Sequence, residues 1–127
     1  KGSILIVDDE PEVLAMLQEV LGREGYDTVL ATGGAEALKV LATRPVDLVL
    51  SDIRMADGDG IALHQSVVRH FPDLAARFVV MTGDTLGPGI DRFPAGVRSR
   101  LMEKPIDFGR LRRVVAARLA ADDDSRA

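Results

Sequence analysis

A doubly wound parallel α/β sheet is the fold this sequence predicts, on three observations. Short, continuous apolar runs at residues 4–7, 48–51, 78–81 and 101–103 read as strands buried on both faces, which is the pattern of a parallel sheet. Stretches with helical period separate them, so strand and helix alternate along the chain. Each run also ends on a reactive polar group: Asp8 and Asp9, then Asp52, then Thr82, then Lys104 ahead of Pro105. In open α/β sheets ligands bind outside the carboxyl ends of the strands, so these groups are expected to share one crevice.

The elements follow in order. Val13, Leu14, Leu17, Val20 and Leu21 fall on one face at helical spacing, and Pro11 suits a first turn, so a helix of about 13 residues follows the first strand. Gly22 and Gly25 are expected to end it. Asp27 to Ala31 forms a second strand. Ala35, Leu38, Leu41 and Ala42 mark a second helix that must stop before Pro45. Past the third strand, Asp59 is a candidate N-cap for a helix that turns Leu63, Val67, Val68 and Phe71 inward and closes at Pro72. Gly83, Gly87, Pro88, Gly89, Pro94 and Gly96 then break the pattern, leaving room only for a turn over residues 90–93, so the fourth helix is short or degraded. The last helix opens at Asp107, with Leu111, Val114, Val115 and Leu119 inward. The domain is read as residues 1–121, with 122–127 an acidic, fraying tail.

With 127 residues, 46% hydrophobic and 28% charged, the chain suits a single domain with a real core. No apolar stretch approaches the ~20 residues of a membrane helix, and no signal-peptide pattern precedes the first strand. Zero cysteines exclude disulfides and thiolate metal sites, which favours a reducing, cytoplasmic setting. A net charge of -4 argues against binding a phosphate backbone, and Arg110, Arg112, Arg113 and Arg118 read as a solvated helix face rather than a nucleic-acid patch. The abrupt start at Lys1 suggests a piece of a longer protein.

The convergent groups define a chemistry. Three carboxylates close together repel one another and raise each other's pKa unless a cation sits among them. Lys104 balances only one of the charges of Asp8, Asp9 and Asp52, which leaves room for one divalent ion. An oxygen-only donor set without His or Cys favours Mg²⁺ over Zn²⁺. An aspartate beside such an ion can attack phosphorus and form an acyl phosphate. Asp52 is the candidate nucleophile, because it alone lacks an acidic neighbour in the chain and ends the central strand. Phosphoryl transfer needs mostly positioning and neutralisation of charge, which an ammonium and a metal supply. The chain uses arginine 13 times and lysine 3 times, so a lysine at a strand end points to a need for a compact charge there. Thr82 is placed to donate its hydroxyl to a phosphoryl oxygen.

Five segments resemble one family. Val-Asp-Asp-Glu at 7–10, Ser-Asp-Ile-Arg-Met at 51–55, Asp-Gly at 59–60, Met-Thr-Gly at 81–83 and Glu-Lys-Pro at 103–105 are similar, in order and spacing, to the receiver domains of two-component signalling. The resemblance implies a flavodoxin-like five-stranded sheet of order 2-1-3-4-5, an order that comes with the family pattern and that periodicity alone does not supply. It implies that Asp52 takes a phosphoryl group from the phosphohistidine of a histidine kinase or histidine phosphotransfer protein. It further implies that Asp9, Asp52 and the backbone carbonyl of Arg54 ligate Mg²⁺, that Asp8 acts through water, that Lys104 contacts the phosphate, and that Thr82 moves toward it. A cis Lys104-Pro105 bond is implied as well. Such a module is regulatory and not an enzyme with an outside substrate.

The departures bear on output. Ala56 stands where the family often has proline, and Leu101 where an aromatic is common, which leaves the loop from Gly83 to Gly96 as the element expected to respond. Arg54 and Asp84 are expected to face each other across the crevice. The run at 81–88 looks similar to receivers fused at the C-terminus of hybrid sensor kinases. Two alternatives are a docking module of the same fold that is never phosphorylated, and a Mg²⁺-dependent phosphohydrolase. The latter lacks the second acid two residues past Asp52, where Arg54 stands.

Overall fold

The computed structural model describes residues 2–55, 58–83, 92–98 and 100–126. Its elements run β1 (Ser3–Val7), α1 (Pro11–Arg23), β2 (Asp27–Ala31), α2 (Gly34–Thr43), β3 (Leu48–Asp52), a two-stranded ribbon of β4 (Arg54–Met55) and β5 (Gly58–Asp59), α3 (Gly60–His70), α4 (Pro72–Ala75), β6 (Phe78–Thr82), α5 (Ala95–Arg98), β7 (Met102–Glu103) and α6 (Phe108–Arg126). The main sheet is all parallel, in the order β2-β1-β3-β6-β7. With the ribbon set aside, this is the expected 2-1-3-4-5.

The apolar runs work as two-faced strands. Every residue of β3 and β6 is buried. Alternate residues of β1 feed opposite faces, Leu5 and Val7 joining the core under α2 and α3, Ile4 and Ile6 the core under α1 and α6. Each of the leucines by which α1 docks, Leu14, Leu17 and Leu21, contributes about 1.5–3 kcal/mol on burial. That exceeds the differences of helix propensity, at most ~0.7 kcal/mol for ordinary residues, so packing fixes this helix.

Several expectations shift by a residue or a turn. Gly22 lies within α1, and the chain leaves the helix through Gly25 alone, at φ 94°. On α3, Leu63 and Val67 point inward four residues apart, whereas Val68 turns away and is 48% exposed. Asp59 directly precedes α3 as the last residue of the ribbon, and its expected capping side chain lies outside what is described. The short helix after β6 is present but covers Ala95–Arg98, while the expected turn at 90–93 falls partly outside the described residues, as do Asp84 and Ala56. Asp107 caps α6, its Oδ1 accepting from the Arg110 amide at 3.1 Å. That helix is continuous to Arg126, through the acidic segment where composition suggests fraying.

Candidate functional site

Parallel register brings the strand ends together. Val7 pairs with Ser51, Asp52 with Met81, and Thr82 with Glu103, so the residues after each strand emerge side by side. They line a cavity of about 380 Å³ whose walls are Asp9, Glu10, Asp52, Arg54, Thr82, Gly83 and Lys104.

Asp52 is buried and oriented. Its Oδ1 accepts from the Ile53 amide at 2.9 Å, and its Oδ2 lies 3.3 Å from the Lys104 Nζ. Its backbone carbonyl accepts from the Ser51 hydroxyl at 2.8 Å. Gly60 packs against this turn: its amide donates to the Ile53 carbonyl at 2.5 Å, and a Cβ there would collide with the Asp52 carbonyl oxygen. Only glycine lets α3 start this close to Asp52, a role that the Asp-Gly pair alone does not disclose.

Asp8 is fully buried and doubly held, Oδ1 by the Glu10 amide at 2.9 Å and Oδ2 by the Lys104 ammonium at 2.9 Å. Lys104 reaches across 96 residues of sequence to do this, and its own amide donates to the Thr82 carbonyl at 2.8 Å. A third carboxylate, Glu10, accepts from the same ammonium at 3.3 Å. The bond between Lys104 and Pro105 is cis.

Charge follows from this packing. Burial pushes the Asp52 carboxyl above its ordinary range, the Lys104 charge pulls it back, and the Asp8 charge adds to the rise. Burial would lower the Lys104 ammonium, but its hydrogen bond to Asp8 and the charges of Asp52 and Asp8 outweigh that and hold it above its ordinary value. Lys104 therefore stays a cation.

Of the residues singled out in the sequence, Asp8, Asp52, Thr82 and Lys104 meet as expected, with Arg54 on the rim. Oxygens of Asp8, Glu10 and Asp52 lie within 4.8 Å of one another, close enough to hold one metal ion. Asp9 stands exposed on the cavity wall, outside that trio. Glu10 completes that trio, and Asp9 lines the same cavity. The Val-Asp-Asp-Glu segment already carries Glu10, but only the folded geometry sets its carboxylate against Lys104. An all-oxygen trio with two negative charges left over after Lys104 fits a hard divalent cation.

Fold and pocket together define a class, the flavodoxin-like domains with an acidic crevice at the topological switch point. The family model described as the response regulator receiver domain matches residues 4–116, and the chain belongs to that family, the receivers of two-component signalling. It is 39% identical over 115 residues to the response regulator protein PilR of Pseudomonas aeruginosa, covering 91% of this chain and 25% of that one. It is 36% identical over 121 residues to the transcriptional regulatory protein ZraR of Salmonella typhimurium, covering 94% and 27%. The chain thus spans about a quarter of the length of the curated relatives it matches. A receiver domain protein (CheY-like) from Methanospirillum hungatei superposes with a TM-score of 0.89 over 97% of both chains, and at 23% identity this shows the shared fold. As a response regulator receiver domain it is a regulatory module. Among the described residues no helix is long and apolar enough to cross a membrane.

Proposed function

We propose that Asp52 is the phosphoacceptor of this receiver, supplied by the phosphohistidine of a histidine kinase or histidine phosphotransfer protein in the cytoplasm. The observation that carries this reading is the Asp52 carboxylate itself: buried at the end of β3, one oxygen fixed by a backbone amide, the other 3.3 Å from an ammonium within an open cavity. An oxygen of that carboxylate bonds to phosphorus as the phosphorus–nitrogen bond breaks, and the departing imidazole keeps the electron pair and takes a proton. Lys104 neutralises charge on the transferring group, and the Thr82 hydroxyl offers it a hydrogen bond. Asp9, Asp52 and the Arg54 carbonyl would hold Mg²⁺, with Asp8 acting through water and Glu10 adding negative charge. Bound there, the ion would supply electrostatic stabilisation of the phosphoryl oxygens.

The intact pocket disfavours a docking module that is never phosphorylated, and Arg54 on the rim disfavours a phosphohydrolase. The relatives, named for response and transcriptional regulation, favour a place in a longer regulator over the hybrid-kinase setting that the run at 81–88 suggests. The negative charge of this stretch leaves any DNA contact to the rest of such a protein.

Incubation with acetyl phosphate and Mg²⁺ should label the protein stoichiometrically, and Asp52→Asn should abolish labelling. Equal incorporation by the variant would refute the assignment, as would continuous turnover of small phosphate esters.

A further inference from the structure

The Lys104 ammonium donates to Asp8 at 2.9 Å and to Glu10 at 3.3 Å, and it lies 3.3 Å from the Asp52 carboxylate as an ion pair. A phosphoryl oxygen on Asp52 competes with these acceptors for the ammonium and bonds best where one of them lets go. Asp8 is the worst candidate, because its side chain is 0% exposed and releasing it would leave a buried charge unpaired. Asp52 is the residue being modified. Glu10 has a side chain 58% exposed, so on release it regains water at little cost.

We infer that Glu10 is a positioning residue, a tether that holds Lys104 in the resting site and competes with a phosphoryl group on Asp52 for its ammonium. The inference rests on the reading of Asp52 as acceptor. Glu10 is joined to the site twice, since its backbone amide also fixes Asp8. Substituting its side chain therefore leaves that backbone contact in place while removing the tether and one carboxylate of the acidic trio.

An exposed pair contributes at most about 1 kcal/mol, and that is about fivefold in affinity. Glu10→Ala, which removes both charge and reach, should tighten beryllofluoride binding by about twofold to fivefold at saturating Mg²⁺, with saturation set for each variant by calorimetry. The KM for acetyl phosphate should fall by a similar factor while kcat stays near the parent value. Glu10→Asp keeps the charge but is one methylene shorter, so it should behave like Glu10→Ala. Glu12→Ala removes an exposed charge on the next turn of chain and should leave both constants unchanged.

The tether is refuted if Glu10→Asp behaves like the parent, or if Glu12→Ala shifts the constants as far as Glu10→Ala. Either result would mean that Glu10 acts only through the field at the pocket mouth. A labelled parent whose Glu10 variants match it overturns this proposal alone. A parent that takes no phosphoryl group overturns the reading of Asp52 and the tether with it.

Discussion

The two ends of the sheet each hold a cation, and they hold it differently. At the carboxyl end, Lys104 is surrounded by the side-chain carboxylates of Asp8, Asp52 and Glu10. At the opposite end, the Arg77 guanidinium is buried and donates to main-chain carbonyls, Asp47 at 2.8 Å and Asp73 at 3.0 Å, while the half-exposed Asp47 carboxylate stands 3.9 Å away. Carbonyls cannot titrate, swing away or exchange partners, so Arg77 clamps α4 to the start of β3. Carboxylates can do all three. The contrast separates a place where charge fixes structure from one where charge is kept exchangeable.

The largest effect should come from breaking the fixed end. Arg77→Leu strips the Asp47 and Asp73 carbonyls of a buried donor, and the expected loss is about 2–4 kcal/mol in denaturant titration. The rate of labelling by acetyl phosphate should not change in the protein that remains folded. A parallel loss of labelling would show that the two ends are coupled. Gly60→Ala comes next and strikes the exchangeable end through its backbone. Forcing a Cβ against the Asp52 carbonyl should cost about 1–3 kcal/mol, and here labelling should fall with stability because the acceptor peptide moves.

Asp52→Asn should do the reverse of Arg77→Leu, raising stability while ending function. The folded carboxyl is pushed above its ordinary 3.8, so between 3.8 and the raised value the native state binds more protons than the unfolded one, and stability falls as pH rises through that window. The parent carries this cost at neutral pH and the variant does not. The expected gain at pH 7 is about 3–6 °C in melting temperature, what about 1 kcal/mol gives in a domain of this size. It should vanish as pH falls to the ordinary carboxylate range and below. A variant that melts at or below the parent at pH 7 would show that Lys104 depends on Asp52 more than burial penalises it.

The smallest effect concerns His64, which lies buried on α3 between the edges of Phe78 and Phe93, at ring distances of 4.9 and 5.4 Å. Burial, and then the Arg100 charge, push this imidazole below its ordinary 6.5. The unfolded chain takes up the proton first, so stability is lost as pH falls below that value. The parent should lose about 1–2 °C of melting temperature between pH 7 and 5.5 that His64→Phe does not lose. Identical slopes would mean that His64 titrates alike in both states.

Much of the carboxyl end was legible in the sequence because strands buried on both faces are written as unbroken apolar runs. The polar residue after each run is then placed by register alone, as with Asp52 beside Met81 and Thr82 beside Glu103. What local pattern could not show was close approach between elements. Gly60 reads as an ordinary turn glycine until α3 is laid on the Asp52 peptide. Glu10 reads as a loop acid until Lys104 arrives from the far end of the chain. Val68 misled because one step along a helix turns a side chain by about 100°, enough to leave the core face that Val67 keeps. Arg77 also escaped notice, since its hydrogen bonds to Asp47 and Asp73 go to backbone carbonyls, to which composition is blind.

The reach of Lys104 ties the charge balance of the pocket to the edge strand β7. Asp8, Glu10 and Asp52 gather where β1 and β3 pair, but their cation is carried 94 and 96 residues beyond Glu10 and Asp8 and is delivered by β7 docked beside β6. Without that edge strand, the sheet holds an uncompensated acidic knot. The final strand therefore completes both the sheet and the electrostatics of the pocket, and a chain lacking it has the carboxylates without the group that makes them a site.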